Sequence, residues 1–206
     1  MSAHKKLTRP LLHLAALSPL LWLIAEFLLN GPGPNPIQTL EKRSGDFALL
    51  LLLASLACTP LRTLTGRAVF TQFRRPLGLY AFGYAAAHLL LFVGLDYGFA
   101  WAEILKLVVE KTYLWFGLGA FLILLLLAIT STQNWQKRLK LNWRRLHALV
   151  FPGAVLAVLH FSLSVKGNIF LLRGEILWPL IALGALILLL LLRLKPVRAV
   201  IARWRR

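Results

Sequence analysis

Six apolar runs of 17 to 20 residues, separated by short connections where basic residues gather, constrain this chain more than any other feature. A backbone crossing hydrocarbon must satisfy its own N–H and C=O groups, which only helices and closed barrels do. About 20 apolar residues suffice for one helical crossing. The runs cover residues 11–29, 45–61, 76–95, 112–130, 146–165 and 176–192. Strict in-out alternation is absent, which excludes a membrane barrel. With 59% hydrophobic residues, the 206-residue chain exceeds the ordinary soluble range of about 45–50%. The expected fold is therefore all-α: a six-transmembrane-helix bundle forming one integral membrane domain over 1–206. No connection is long enough for a soluble domain, and no strand–Gly-rich loop–helix pattern marks a nucleotide-binding unit.

The net charge of +17 would suggest nucleic acid in a soluble protein. Here its distribution follows the connections. Eighteen of the 24 basic residues alternate onto one side, in clusters around Lys5, Arg67, Arg74, Arg75, Lys137, Arg145 and Arg198. Lys42, Arg43, Lys106, Lys111, Lys166 and Arg173 fall on the other side, with six of the seven acids. The positive-inside rule puts the basic side and both termini in the cytoplasm, with no call for a nucleic-acid partner. The N-terminal basic segment leads into its apolar run without a small-residue cleavage pattern, so it is expected to stay as an anchor. The single cysteine, Cys58, excludes an internal disulfide, a cysteine-rich metal site and C-x-x-C-H haem attachment.

Residues 96–111 space Trp101, Ile104, Leu105 and Val108 along one helical face, as a short helix on the outer surface would. The tail 196–206 reads as a basic segment against the lipid of the anionic inner leaflet.

Polar side chains inside spans are costly and mark function by default. His88 lies deep in the third run, 13 residues beyond Arg75, or about 20 Å. His160 lies 15 residues beyond Arg145, or about 22 Å, in a run entered from the same side. The two imidazoles are therefore at similar depth in the outer half of the bilayer, as a bis-histidine haem needs. Gly78, Gly83, Ala85, Ala86, Ala87, Gly117 and Gly119 offer room for a macrocycle. The bland alternative is that each histidine hydrogen-bonds a neighbouring helix and the small residues serve packing. His147 and His13 sit near the cytoplasmic edge at comparable shallow depth. His147 and His160 are 13 apart, which on a straight helix points them roughly 140° apart, although Pro152 between them is placed to kink it. His147 could hold a second haem from another face; His13 matches it only in depth.

Glu26, near the outer end of the first run, suits either a snorkelling acid or quinone and proton chemistry. Cys58 reads as a packing residue. Trp22, Trp101, Trp115, Trp143 and Trp178 lie near run ends, as an aromatic belt requires. The basic aromatic connection 133–145 suits topology alone, or docking of an acidic partner or a flavin phosphate.

These residues resemble a known family. Arg74-Arg75-Pro76-Leu77-Gly78-Leu79 followed by His88, and Trp143-Arg144-Arg145-Leu146-His147 followed by His160, resemble the MsrQ (YedZ) family of haem-binding membrane subunits. Thr130-Ser131-Thr132, and Val165 with Lys166, are also similar. The resemblance implies a ferric-reductase-like transmembrane cytochrome b with one or two b haems on His88, His147 and His160, and an association with FMN. It implies electrons from the quinone pool or a cytosolic flavin reductase. They would pass to MsrP, a periplasmic molybdenum-containing reductase that repairs methionine sulfoxide, with this chain in the bacterial inner membrane as redox subunit rather than sulfoxide-binding enzyme. The tail is too short for a flavin/NAD(P)H domain, so that module is expected to be separate. The alternatives are an outward-facing ferric or oxygen reductase, or a small histidine-lined channel or transporter.

Overall fold

The computed structural model describes residues 3–31, 33–165, 167–168 and 173–204. Lys166, and Arg205 and Arg206 of the basic tail, lie outside the described residues. The chain runs α1 (Ala3–Asn30), α2 (Pro36–Thr65), α3 (Val69–Leu90), α4 (Trp101–Glu110), α5 (Thr112–Ile129), α6 (Gln133–Leu139), α7 (Leu141–His147), α8 (Val150–Ser164), α9 (Leu177–Leu191) and α10 (Lys195–Trp204). A two-residue antiparallel pairing, Gly167–Asn168 with Arg173–Gly174, precedes α9.

Among the described residues, four helical stretches are long and apolar enough to cross a membrane: Pro36–Thr65, Val69–Asp96, Thr112–Ile129 and Leu141–Ser164. A fifth arises if α9 and the following helix, bent by 78°, are taken together; Pro10–Glu26 is a shorter apolar helix. The molecule is thus an all-α membrane protein with four to five candidate spans by length and composition.

Two elements differ from expectation for local reasons. The second run was expected to end near Pro60, yet α2 passes through it, starting with Pro36 in its first turn and stopping at Gly66, whose φ of 73° suits glycine. Pro60 lacks the N–H that Leu56 O would receive. Arg193 Nη2 supplies that bond from the end of α9, at 2.6 Å, while its guanidinium lies 4.9 Å over the Phe151 ring. Pro152 was placed to kink its span midway. It sits instead in the first turn of α8, where a missing N–H costs nothing; the interruption lies at Ala148 and Leu149.

The core gathers Leu52, Leu56, Ala81, Tyr84, Ala154 and Val158. In α5, Ala120, Leu124 and Leu127 are buried while Leu118, Leu122, Leu126 and Ile129 are exposed. The exposed row follows the 3–4 residue helical spacing, so one face meets protein and the other lipid. A hydrogen bond between His13 and Tyr80, and one from Tyr84 to the Ala16 carbonyl, tie α1 alongside α3 in the same direction. The Lys42–Glu175 ion pair (3.7 Å) links the start of α2 to the start of the last apolar helix, so both lie at one end of the bundle.

The most extensive packing joins α2 to α3 and α5 to α8. These hairpins repeat each other, although no repeat is obvious by eye in the sequence. His88 and His160, Glu41 and Tyr113, and Gly45 and Gly117 are each 72 residues apart and occupy matching places.

Candidate functional site

His88, at the end of α3, directs Nδ1–H to the backbone carbonyl of Glu41 in α2, at 2.8 Å. His160, late in α8, directs Nδ1–H to the carbonyl of Tyr113 in α5, at 2.9 Å. A carbonyl only accepts, so Nδ1 carries the proton in both rings and Nε2 keeps its lone pair. The two rings lie 6.2 Å apart, centroid to centroid, at 72° to one another. The residues matched in depth by counting are thus brought side by side, edge to face, from different hairpins.

A glycine backs each imidazole. A Cβ on Gly45 would come within 3.2 Å of His88 Nδ1, and one on Gly117 within 2.6 Å of His160 Nδ1. Gly117, one of the small residues expected to leave room for a macrocycle, is where the His160 ring packs. A Cβ on Gly78 would stand 3.5 Å from Ser55 Oγ and one on Gly119 3.2 Å from Leu156 Cδ1, which is helix packing. Immediately beyond His88 the helix widens into a π-turn over Leu91–Asp96, a feature frequent at functional sites.

His147 belongs elsewhere. Its Nε2 is 3.3 Å from Thr130 Oγ1, whose hydroxyl donates to Leu126 O at 2.7 Å. Thr130 therefore accepts from His147, so Nε2 is protonated and Nδ1 is the free acceptor. Trp143 stacks on the ring at 4.1 Å and donates Nε1–H to Thr130 O at 2.9 Å. Trp143 is thus a support of His147, whereas Trp22, Trp101, Trp115 and Trp178 are exposed, as belt residues would be. His13 pairs with Tyr80 Oη at 2.9 Å. Glu26 keeps Oε2 buried without a hydrogen-bond partner, and Cys58 is buried with Sγ 3.4 Å from Ala54 O.

The residues that sequence reasoning missed are the two carbonyl acceptors, Glu41 and Tyr113, and Gly45. The signal that finds them is the 72-residue offset, visible only once one hairpin is superimposed on the other. The short helix expected between the third and fourth runs forms as α4, with Ile104 buried and Trp101, Leu105 and Val109 exposed. Beside it, partial burial and then the Asp96 carboxylate push the Tyr97 phenol above its usual range.

Among the described residues no three His, Cys, Asp or Glu side chains converge to hold a metal ion. The pair offers two imidazole donors and nothing further, a set suited to a metal whose remaining ligands arrive with it. That fits a haem, which needs axial ligands only.

Residues 44–158 match the family model described as ferric reductase like transmembrane component. Among curated proteins, the chain is 46% identical over 167 residues to the protein-methionine-sulfoxide reductase heme-binding subunit MsrQ of Xanthomonas axonopodis pv. citri (strain 306), covering 78% of this chain and 77% of that one. It is 47% identical over 163 residues to the MsrQ subunit of Xanthomonas campestris pv. campestris (strain 8004), covering 76% and 75%. Identity to the Rhodospirillum rubrum MsrQ subunit is 43% over 192 residues, covering 93% of this chain and 89% of that one.

Proposed function

The chain belongs to the MsrQ family of ferric-reductase-like membrane proteins, and from that premise we propose that it is a cytochrome b whose haem is held between His88 and His160. The separation of the two imidazoles carries this reading. Two imidazoles holding one metal ion between them, each through a nitrogen about 2 Å from it, would have ring centres roughly 6 Å apart. The rings lie 6.2 Å apart. When bound, the haem supplies reversible one-electron chemistry between ferric and ferrous iron. The chain supplies the rest. Glu41 and Tyr113 carbonyls fix both tautomers and ring orientations and raise the basicity of the ligating nitrogens. Gly45 and Gly117 let the rings sit close against neighbouring helices. Ala154, Val158 and Leu124 are buried in the apolar core on α8 and α5, the helices that carry His160 and its carbonyl partner.

The wider role extends this reading. Six spans, with α1 and α9 completing the bundle, place the chain in the bacterial inner membrane with both termini cytoplasmic. Electrons enter on the basic side, from quinol or a cytosolic flavin reductase, and leave outward to MsrP, the periplasmic molybdenum reductase that repairs methionine sulfoxide. Lys137, Arg138 and Lys140 supply the positive face for an acidic donor or an FMN phosphate. His147 serves the entry step and, where a second haem is bound, is its imidazole ligand.

Optical and EPR spectra of the purified protein test the pairing. His88→Ala and His160→Ala should each abolish the low-spin bis-histidine signal, while His147→Ala keeps it. A full signal in His88→Ala together with its loss in His147→Ala would overturn the assignment.

A further inference from the structure

An open groove of about 370 Å³ lies between α1 and α3. His13, Arg75, Pro76, Leu79, Tyr80 and Gly83 line it. Its volume falls within the range of small-molecule sites, about 300–1,000 Å³, which are apolar with a few converging polar groups. The polar groups here are the imidazole of His13, hydrogen-bonded to Tyr80 Oη at 2.9 Å and set edge-on to its ring, and Arg75.

His13 and Tyr80 together can both donate to and accept from a guest, whereas Arg75 only donates. If His13 Nδ1–H donates to Tyr80 Oη, the phenol O–H is free to donate and Nε2 is free to accept. If Tyr80 donates to Nδ1 instead, Nε2–H becomes the donor. The pair thus matches a ring oxygen that is a carbonyl in one redox state and a hydroxyl in the other. Pro76, Leu79 and Gly83 supply the apolar walls a flat ring needs, and Gly83 has no other heavy atom within 4 Å of where a Cβ would stand. His13 is exposed, and its helix, α1, makes few contacts with the rest of the bundle, so the groove is reached from the lipid. A ligand entering that way is lipid-soluble. Lipid phosphate would select clustered cations, whereas Arg75 is the one cationic side chain among the lining residues.

We propose that the groove between α1 and α3 binds the head ring of an isoprenoid quinone or quinol, with His13 and Tyr80 on one ring oxygen. This rests on the redox reading above and gives the lipid-soluble donor its place. Tyr80 lies eight residues before His88 on the same helix, about 12 Å of axial rise from it.

The test uses the purified holoprotein in nanodiscs and a photoreactive azidobenzoquinone with a short isoprenoid tail. Labelling should fall on α1 and α3 and be displaced by menadione. Tyr80→Phe and His13→Leu should each weaken binding about five- to tenfold, the loss of one hydrogen bond, while haem content and the visible spectrum stay at wild-type values. Labelling elsewhere, equal labelling in both variants, or displacement by phosphatidylglycerol but not by menadione would overturn the proposal. Failure of the haem reading would show separately, as wild-type protein without a Soret band.

Discussion

Replacing Gly117 by alanine should damage the haem site more than the matching change at Gly45. A Cβ at position 117 would stand 2.6 Å from His160 Nδ1, 2.8 Å from Cε1 and 3.1 Å from Cγ. Ordinary contact begins near 3.4 Å, so the ring must retreat by about 0.8 Å. It cannot do so and keep its 2.9 Å bond to Tyr113 O. A buried donor left unpaired costs about 1–3 kcal/mol, and an off-rotamer ring a further 0.5–1.5 kcal/mol or so. Loss of a partner that orients a ligand typically weakens metal affinity about 10–100-fold. At position 45 the same Cβ would stand 3.2 Å from His88 Nδ1, and a shift of about 0.2 Å relieves it. Gly117→Ala should therefore bind haem about 10–100-fold more weakly, with a high-spin fraction in the EPR spectrum, and Gly45→Ala less than tenfold more weakly. Haemin titration of protein made under haem limitation measures both. Wild-type affinity and spectrum in Gly117→Ala, or a larger loss in Gly45→Ala, would refute the idea that the carbonyl bonds hold these rings in place.

Two further outcomes follow from other parts of the molecule. Arg193→Leu removes a charge-assisted bond to Leu56 O and a contact with the Phe151 ring, and should destabilise the protein by about 2–3 kcal/mol in detergent unfolding. In a Pro60→Ala background the restored N–H serves Leu56 O, and the same Arg193→Leu change should cost less than about 1.5 kcal/mol; equal costs in both backgrounds would sink this account. Reporter fusions should place position 194 on the cytoplasmic side and positions 96–111 on the periplasmic side; an active periplasmic reporter at 194 would reverse the direction of electron flow proposed here.

The histidine pair was legible in sequence because depth is a one-dimensional quantity. Counting from Arg75 and Arg145 at a fixed rise per residue needs no knowledge of how helices pack. What could not be counted was azimuth. Whether His88 and His160 face each other depends on the rotation of α3 and α8, which is fixed by contacts such as Ser55 Oγ with Arg74 O at 2.7 Å. The same blindness assigned Gly117 to a gap and Trp143 to an interfacial belt, since each is defined by the neighbour it meets. The end of α2 was misjudged because Pro60 reads locally as a breaker. Its cost is offset by Arg193, 133 residues later, which no window along the chain contains. The span count is hardest at α1 and α9, where short or bent helices leave length and composition ambiguous.

The 72-residue offset also separates the two ends of the bundle chemically. At the outer end it maps a histidine onto a histidine, and the two rings meet. Thirteen residues toward the basic side, about 20 Å along each helix, it maps Arg75 onto His147. A guanidinium stays protonated and has no lone pair to give, so Arg75 cannot complete a second bis-imidazole site. What it can do is hold an anionic or hydrogen-bonding group, and it lies in the wall of the His13–Tyr80 groove. A chain that repeated itself faithfully would have two equivalent histidine pairs. This one keeps one pair and carries an arginine where the other would stand. On the direction of electron flow proposed above, entry and exit are then different kinds of site. Removing His147 should therefore change how fast electrons enter the protein without touching the low-spin signal of the pair they reach.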